Sequence, residues 1–282
     1  MMNASAVITL DKKYHSAGET LAERFSIPHY DVSCEELSRD SDIKSYLCDK
    51  FKCGESGTKV FLVYQKDGLS IAQITADNLL FISANFYGES VRYRREKGGG
   101  KKEMIAKAIG LNYTSNLSIL DATCGLGSDA FVLASIGGHV TMIERVAEVH
   151  ALVEFALKYA TEWGKTADSK LLDILSRMEL IKGDAIKYML NMCSENRPDV
   201  IYLDPMFPPR KKSAKIKKEM QVMHNVVGSD TDSNEMLPIA LHCARKRVVV
   251  KRPRVAPTLS RVKANYTFKG KSNRYDVYVC SP

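Results

Sequence analysis

The chain has 282 residues, 45% hydrophobic and 26% charged, with 41 Lys and Arg against 33 Asp and Glu for a formal net charge of +8. That composition suits a globular protein of one large or two modest domains, and no apolar run approaches the roughly 20 residues of a membrane span. Seven scattered cysteines without a CxxC pair and six dispersed histidines without HExxH argue against a disulfide framework and against a metal site.

Taken in chain order, residues 1–97 read as a small α+β module. The N-terminus lacks a basic leader and an apolar core of secretory length, so a cytoplasmic protein is expected. Ser16 and Glu19 have capping-box spacing, which predicts a helix opening there and carrying Leu21 and Phe25. Residues 59–64 and 69–75 predict a hairpin through Asp67-Gly68. A cationic stretch containing Arg92, Arg94 and Arg95 leads to Gly98-Gly99-Gly100, a predicted hinge into a second domain over 98–282.

Beyond the hinge the pattern becomes strand and helix alternation. Apolar strands are expected at 117–122, 139–145, 178–184, 199–204 and 247–253. Helices are expected at 128–137, 147–163, 185–193 and, despite Pro238, 233–244. Near-continuous apolar strands separated by helices indicate a parallel sheet covered on both faces. Residues 265–270 and 274–279 predict a closing antiparallel hairpin, which brings the sheet to seven strands.

Open sheets of this kind bind ligands at the carboxyl ends of their strands. The first strand delivers Asp121, then Gly125 and Gly127, straight into the helix that starts at Ser128-Asp129. Glycines there let the backbone turn tightly and approach a ligand, and the helix N-terminus offers free N–H groups to an anion. A plain tight turn would look the same. Glu144 ends the second strand, where an acid can hold both ribose hydroxyls; an ion pair with Arg145 is the bland alternative. Asp184, before Ala185, ends the third strand where an adenine amino group could be read, although a helix N-cap would also use it. Three acids at successive strand ends suggest an adenosine-containing ligand. The absence of GxGxxG and the closing hairpin favour S-adenosyl-L-methionine over a nicotinamide cofactor.

The fourth strand ends in Asp204-Pro205-Met206-Phe207, which resembles the (Asn/Asp)-Pro-Pro-(Tyr/Phe) motif of enzymes that methylate exocyclic amines of bases. Such an amine is a poor nucleophile because its lone pair is delocalised into the ring. Acceptors on its hydrogens, here the Asp204 carboxylate and Pro205 carbonyl, favour pyramidalisation and stabilise developing positive charge. Phe207 would stack on a base drawn out of its helix or loop. A turn with a core phenylalanine is the alternative, and Met206 departs from the Pro-Pro of the motif. Next come Arg210, Lys211, Lys212, Lys215, Lys217 and Lys218. Such a run is usually a solvated face, and it and the 92–95 cluster gain interest as a nucleic-acid contact only if the fold brings them to one face.

In this order, LDATCGLGSDAFVLASIG, MIER, YLDPMFP, KSAKIKKEM, VVG and RVVVKRP resemble the bacterial small-subunit ribosomal RNA methyltransferase J family. The resemblance implies a class I, Rossmann-like methyltransferase fold and methylation of a guanine N2 near the 3′ end of 16S rRNA. It also implies an S-adenosylmethionine site lined by Ser128, Asp129, Glu144, Arg145, Asp184, Ala185 and Asp204. Two other readings stand beside it: a non-catalytic RNA-binding or assembly module on the same fold, and a nicotinamide-dependent oxidoreductase.

Overall fold

A computed structural model describes residues 3–33, 37, 39–52, 57–75, 78–97, 103–111, 116–206, 218–228 and 233–280. The chain divides into two compact units, Met1–Ala84 with Pro209–Gly228, and Asn85–Pro208 with Ser229–Pro282. The expected hinge at Gly98-Gly99-Gly100 lies outside the described residues.

In the first unit the elements run β1 (Val7–Thr9), α1 (His15–Phe25), β2 (His29–Asp31), α2 (Asp40–Phe51), β3 (Lys59–Gln65), β4 (Gly68–Ile74) and β5 (Leu79–Ile82). The strands form one sheet in the order β2-β1-β3-β4-β5. The expected hairpin is present, with Gln65 paired to Gly68 across a two-residue turn. Gly68 has φ +114, a conformation that favours glycine. Phe61, Val63, Ala72 and Ile74 pack with Ile43 and Leu47 of α2 to make the core of this unit. The capping box is corrected: α1 begins at His15 with Tyr14 as its N-cap residue, and Ser16 sits inside the helix. The chain turns earlier because the Asp11 side chain accepts from the Lys13 amide and starts a short 3₁₀ turn that runs into α1.

The second unit begins with α3 (Glu89–Lys97) and α4 (Met104–Ile109). It continues through β6 (Ser118–Asp121), α5 (Ser128–Ser135), β7 (His139–Glu144), α6 (Ala147–Ala167), α7 (Ser169–Leu175), β8 (Met178–Lys182), α8 (Ala185–Leu190) and β9 (Val200–Leu203). The next helix, α9 (Lys218–Val227), groups with the first unit, where it packs against β5 and buries Val222 and Val226. The second unit resumes with α10 (Ser233–Cys243), β10 (Arg247–Pro253), β11 (Tyr266–Lys269) and β12 (Asn273–Val279).

Its sheet has the order β11-β12-β10-β9-β6-β7-β8. The strands β10, β9, β6, β7 and β8 are parallel, and β12 runs antiparallel to both β10 and β11. This is the seven-stranded Rossmann-like sheet expected, with the closing hairpin in place. All four residues of β9 are buried, as strands covered on both faces must be. On one face Leu120, Ile201, Leu203, Val248 and Val250 pack with Met236, Leu237 and Ala240 of α10. Burying each of these Val, Leu, Ile and Met side chains stabilises by roughly 1.5–3 kcal/mol. The α10 helix continues through Pro238, as expected.

Strand order reverses between β6 and β9: from β6 the chain moves outward through β7 and β8, then returns to the other side of β6. The carboxyl ends of β6 and β9 therefore flank the crevice in which such sheets take their ligands. No described helix is long and apolar enough to cross a membrane.

Candidate active site

At the end of β6 the chain makes a glycine loop held from below. The Asp121 Oδ1 accepts the Thr123 amide at 3.1 Å. Gly125 and Gly127 have φ +54 and +72, so both need the left-handed freedom of glycine. A Cβ on Gly127 would also stand 2.9 Å from the Phe86 ring. That ring is buried and stacks on Phe131 of α5 at 5.5 Å between centroids. Gly127 is the N-cap of α5 and brings no capping side chain, leaving the first turn, Ser128-Asp129, open to an anionic group. Cys124 is buried in the loop, and burial pushes its thiol well up, so it packs and does not act as a nucleophile.

Glu144, 6% exposed, fixes the loop from the neighbouring strand end. Its Oε2 accepts the Gly125 amide at 3.0 Å and its Oε1 accepts the Val146 amide at 2.7 Å. The carboxylate is thus buried on backbone donors next to the glycine loop. An acid at this strand end stands where folds of this kind hold the ribose hydroxyls of their ligand. Asp184 caps α8, accepting the Lys187 amide at 2.9 Å, with Ala185 buried behind it. The helix-cap reading therefore holds for one oxygen, and a ligand would have to use the other. A cavity of about 460 Å³ between β8 and α8 shares only Asp184 with the predicted residues.

Across the switch point the geometry is tighter. Asp121 is in register with Tyr202, so the two chains leave the sheet together, and the Asp204 amide donates to Thr123 Oγ1 at 2.6 Å. Val250 is in register with Leu203, so Lys251 and Asp204 emerge side by side. The Lys251 ammonium lies 2.9 Å from Asp204 Oδ2 and 2.7 Å from Asp129 Oδ2. Tyr202 donates its phenol hydrogen to the same Asp129 oxygen at 2.6 Å. Burial works to discharge Lys251, but the Asp204 and Asp129 carboxylates outweigh it and hold its pKa above the usual lysine value. Burial raises Asp204 above the ordinary carboxylate range, with Lys251 opposing and Asp129 reinforcing. Pro205 is buried beside it.

Asp121 is 1% exposed and, pushed up chiefly by burial, titrates at about 8. In the unfolded chain it ionises near 3.9. Its contribution to stability is full below about pH 4 and is lost by about pH 8, because across that window the unfolded state binds fewer protons. Replacing it by asparagine removes this term. The melting temperature of Asp121→Asn minus that of the parent should therefore rise by several degrees from pH 5 to pH 8, on the scale of about 2–4 °C per kcal/mol. A constant difference would exclude a buried, proton-holding Asp121.

The predicted cations divide. Arg95 is corrected: its guanidinium pairs with Asp168 at 2.6 Å, with both side chains at or below 10% exposure. It ties α3 to the junction of α6 and α7, where Asp168 also caps α7, and so cannot reach out to a phosphate. Arg92 is exposed on α3, and Arg94 lies on the same helix. Lys218 is the first residue of α9. Phe207, Arg210, Lys211, Lys212, Lys215 and Lys217 lie outside the described residues.

The family of putative SAM-dependent methyltransferases matches residues 47–280 of the chain. Among curated proteins, the ribosomal RNA small subunit methyltransferase J of Pseudomonas fluorescens is 44% identical over 251 residues, spanning 89% of this chain and 91% of the relative. The protein of the same name from Cellvibrio japonicus is 46% identical over 217 residues, or 77% of this chain and 82% of its own. The chain belongs to the methyltransferase J family. It is an S-adenosylmethionine-dependent methyltransferase. A crystal structure of a SAM-dependent methyltransferase from Neisseria gonorrhoeae superposes with a TM-score of 0.64 at 29% identity, covering 97% of this chain and 96% of that one.

Within this methyltransferase, sequence reasoning passed over Thr123, Tyr202 and Lys251 as site residues. Lys251 carried a signal, as a lysine at the carboxyl end of an apolar strand. Only strand order and register place it against Asp204. Among the described residues no group of three or more His, Cys, Asp or Glu could hold a metal ion.

Proposed function

We propose that this enzyme methylates the exocyclic N2 of a guanosine near the 3′ end of 16S rRNA in the small ribosomal subunit. The observation that carries the reading is Asp204, whose carboxylate stays 36% exposed at the carboxyl end of β9 while its amide and second oxygen are held by Thr123 and Lys251. It is supported by the name that the methyltransferase J relatives carry.

The residues suit the donor in kind. Ser128 and Asp129 at the open first turn of α5, with Asp121, Gly125 and Gly127, would take the amino-acid end of S-adenosylmethionine. Glu144 with Arg145 would take the ribose, and Asp184 with Ala185 the adenine. The bound donor supplies an electrophilic methyl group on a sulfonium. With the donor bound, the Asp204 carboxylate and the Pro205 carbonyl would accept the amine hydrogens, orient the nitrogen lone pair and stabilise its developing positive charge while the N–C bond forms and the methyl's bond to sulfur breaks, the sulfur leaving as a neutral thioether. The excess proton then leaves the nitrogen, with Asp204 as the acceptor at hand. Phe207 would stack on the guanine. Arg92, Arg94, Arg210, Lys211, Lys212, Lys215, Lys217 and Lys218 would hold phosphates around it. A cytoplasmic location follows from that substrate.

The test incubates the protein and labelled S-adenosylmethionine with small subunits from cells lacking the enzyme, then maps the labelled nucleoside. N2-methylguanosine near the 3′ end of 16S rRNA is expected. No label, or label on another base, overturns the assignment.

A further inference from the structure

Between Lys251 and Arg274 the sequence holds eight cations and no Asp or Glu. The stretch leaves the sheet at the carboxyl end of β10, two residues past Lys251, and so starts beside the candidate active site. Its loop, 254–264, is built and not merely solvated. The Arg274 guanidinium, buried and paired to the buried Asp276, donates to the carbonyls of Pro253, Arg254 and Ala256. Arg252 Nε donates to the Pro257 carbonyl, and the Arg254 amide to the Ser272 carbonyl. Further along, Ser260 is fastened to Asn234 by its amide and hydroxyl, and the Tyr278 phenol donates to the Val262 carbonyl. Ser260 and Arg261 are held at φ +51 and +56, a left-handed pair that is unfavourable outside glycine and persists only where its surroundings dictate it.

What this pinned loop presents is a row of cations and apolar tips. Arg254, Arg261 and Lys263 are exposed and have no ion-pair partner among the described residues. Val255 is 70% exposed and Val262 39%. A loop fastened at so many points, in a strained conformation, with unpaired cations and bare valines facing out, has the character of a docking face.

We propose that the loop 254–264 is an RNA-docking surface of this enzyme: Arg254, Arg261 and Lys263 engage phosphates of the small-subunit rRNA, and Val255 packs against an unstacked base or sugar, orienting the strand toward Asp204. The inference rests on the rRNA reading above and adds a place on the protein for it. Its fixed backbone means that the loop meets RNA without first being ordered, so its cations act as a rigid ruler beside the reacting amine.

The test compares the parent with the triple variant Arg254→Ala, Arg261→Ala, Lys263→Ala, and separately with Val255→Ser. Binding to 16S rRNA and to small subunits is measured across a salt series, with S-adenosylmethionine affinity as the control for an intact fold. The triple variant should bind RNA at least about tenfold more weakly at low salt. The slope of log affinity against log salt should fall by about 2, at roughly 0.7–0.9 for each phosphate that the variant no longer neutralises, with donor affinity unchanged. Val255→Ser should weaken binding at every salt concentration with the slope kept. If the parent binds and labels rRNA while both variants match it in affinity and slope, this inference fails and the rRNA reading stands. If the parent binds no small-subunit RNA, both fail. Should the triple variant not fold, Val255→Ser and the single variants Arg254→Ala and Lys263→Ala decide, each single charge removal being expected to lower the slope by somewhat under 1.

Discussion

Asp204→Ala should lower kcat for methyl transfer by about two to three orders of magnitude, the usual effect of removing one group that stabilises charge in the transition state. The affinity for S-adenosylmethionine should change much less. Asp204→Asn should lie between, because an amide oxygen still accepts a hydrogen from the amine but no longer balances Lys251. Lys251→Met sharpens the test. Asp204 is already raised by burial and opposed by Lys251, so losing the ammonium should move the acid limb of the kcat profile to higher pH. The protonated carboxyl is the inactive form, so the variant should recover activity as pH rises. Initial rates with saturating donor across pH 5 to 9 give all three results. An Asp204→Ala enzyme within threefold of the parent would remove Asp204 from the chemistry.

Glu144→Gln should cost both stability and cofactor binding. The two carboxylate oxygens accept the Gly125 and Val146 amides in a nearly dry position. A glutamine keeps one acceptor and turns an NH2 donor against the other N–H. An unsatisfied buried donor costs about 1–3 kcal/mol, which lowers the melting temperature by several degrees in a domain of this size. The same change loosens the glycine loop, so the upward shift of melting temperature on adding S-adenosylmethionine should shrink. Thermal unfolding with and without the donor measures both effects. A variant that melts with the parent and is stabilised equally by the donor would show that Glu144 anchors nothing.

Much of the site was legible because it sits at strand ends, and the strands announce themselves. Buried parallel strands are unbroken apolar runs, so the residue at which each run stops marks the ligand end of the sheet. Asp121, Glu144, Asp184 and Asp204 were found in that way. Partners brought by register were not legible. Nothing in Lys251 itself tells that Val250 aligns with Leu203, and its role follows only from that alignment. Arg95 misled for the opposite reason. A helix reading ESVRYRREK looks solvated, yet Arg95 is buried against Asp168, far along the chain. No element is expected from the sequence over 219–227, yet Val222 and Val226 are buried residues of α9 in the first unit.

The position of β12 has a consequence for how the enzyme is made. It follows β10 and β11 in the chain but lies between them in the sheet, pairing with β10 along its whole length from Arg247 to Pro253. During synthesis the valine run of β10 therefore emerges with one side unpaired and must wait for Val279 before it is covered. A nascent chain halted in that interval carries a sticky, open strand bearing Lys251, and one halted before residue 274 also lacks the arginine that fastens its loop. Premature termination in this interval should yield chains that associate with chaperones or aggregate, because the last strand in the fold's sequence is the one that closes its interior.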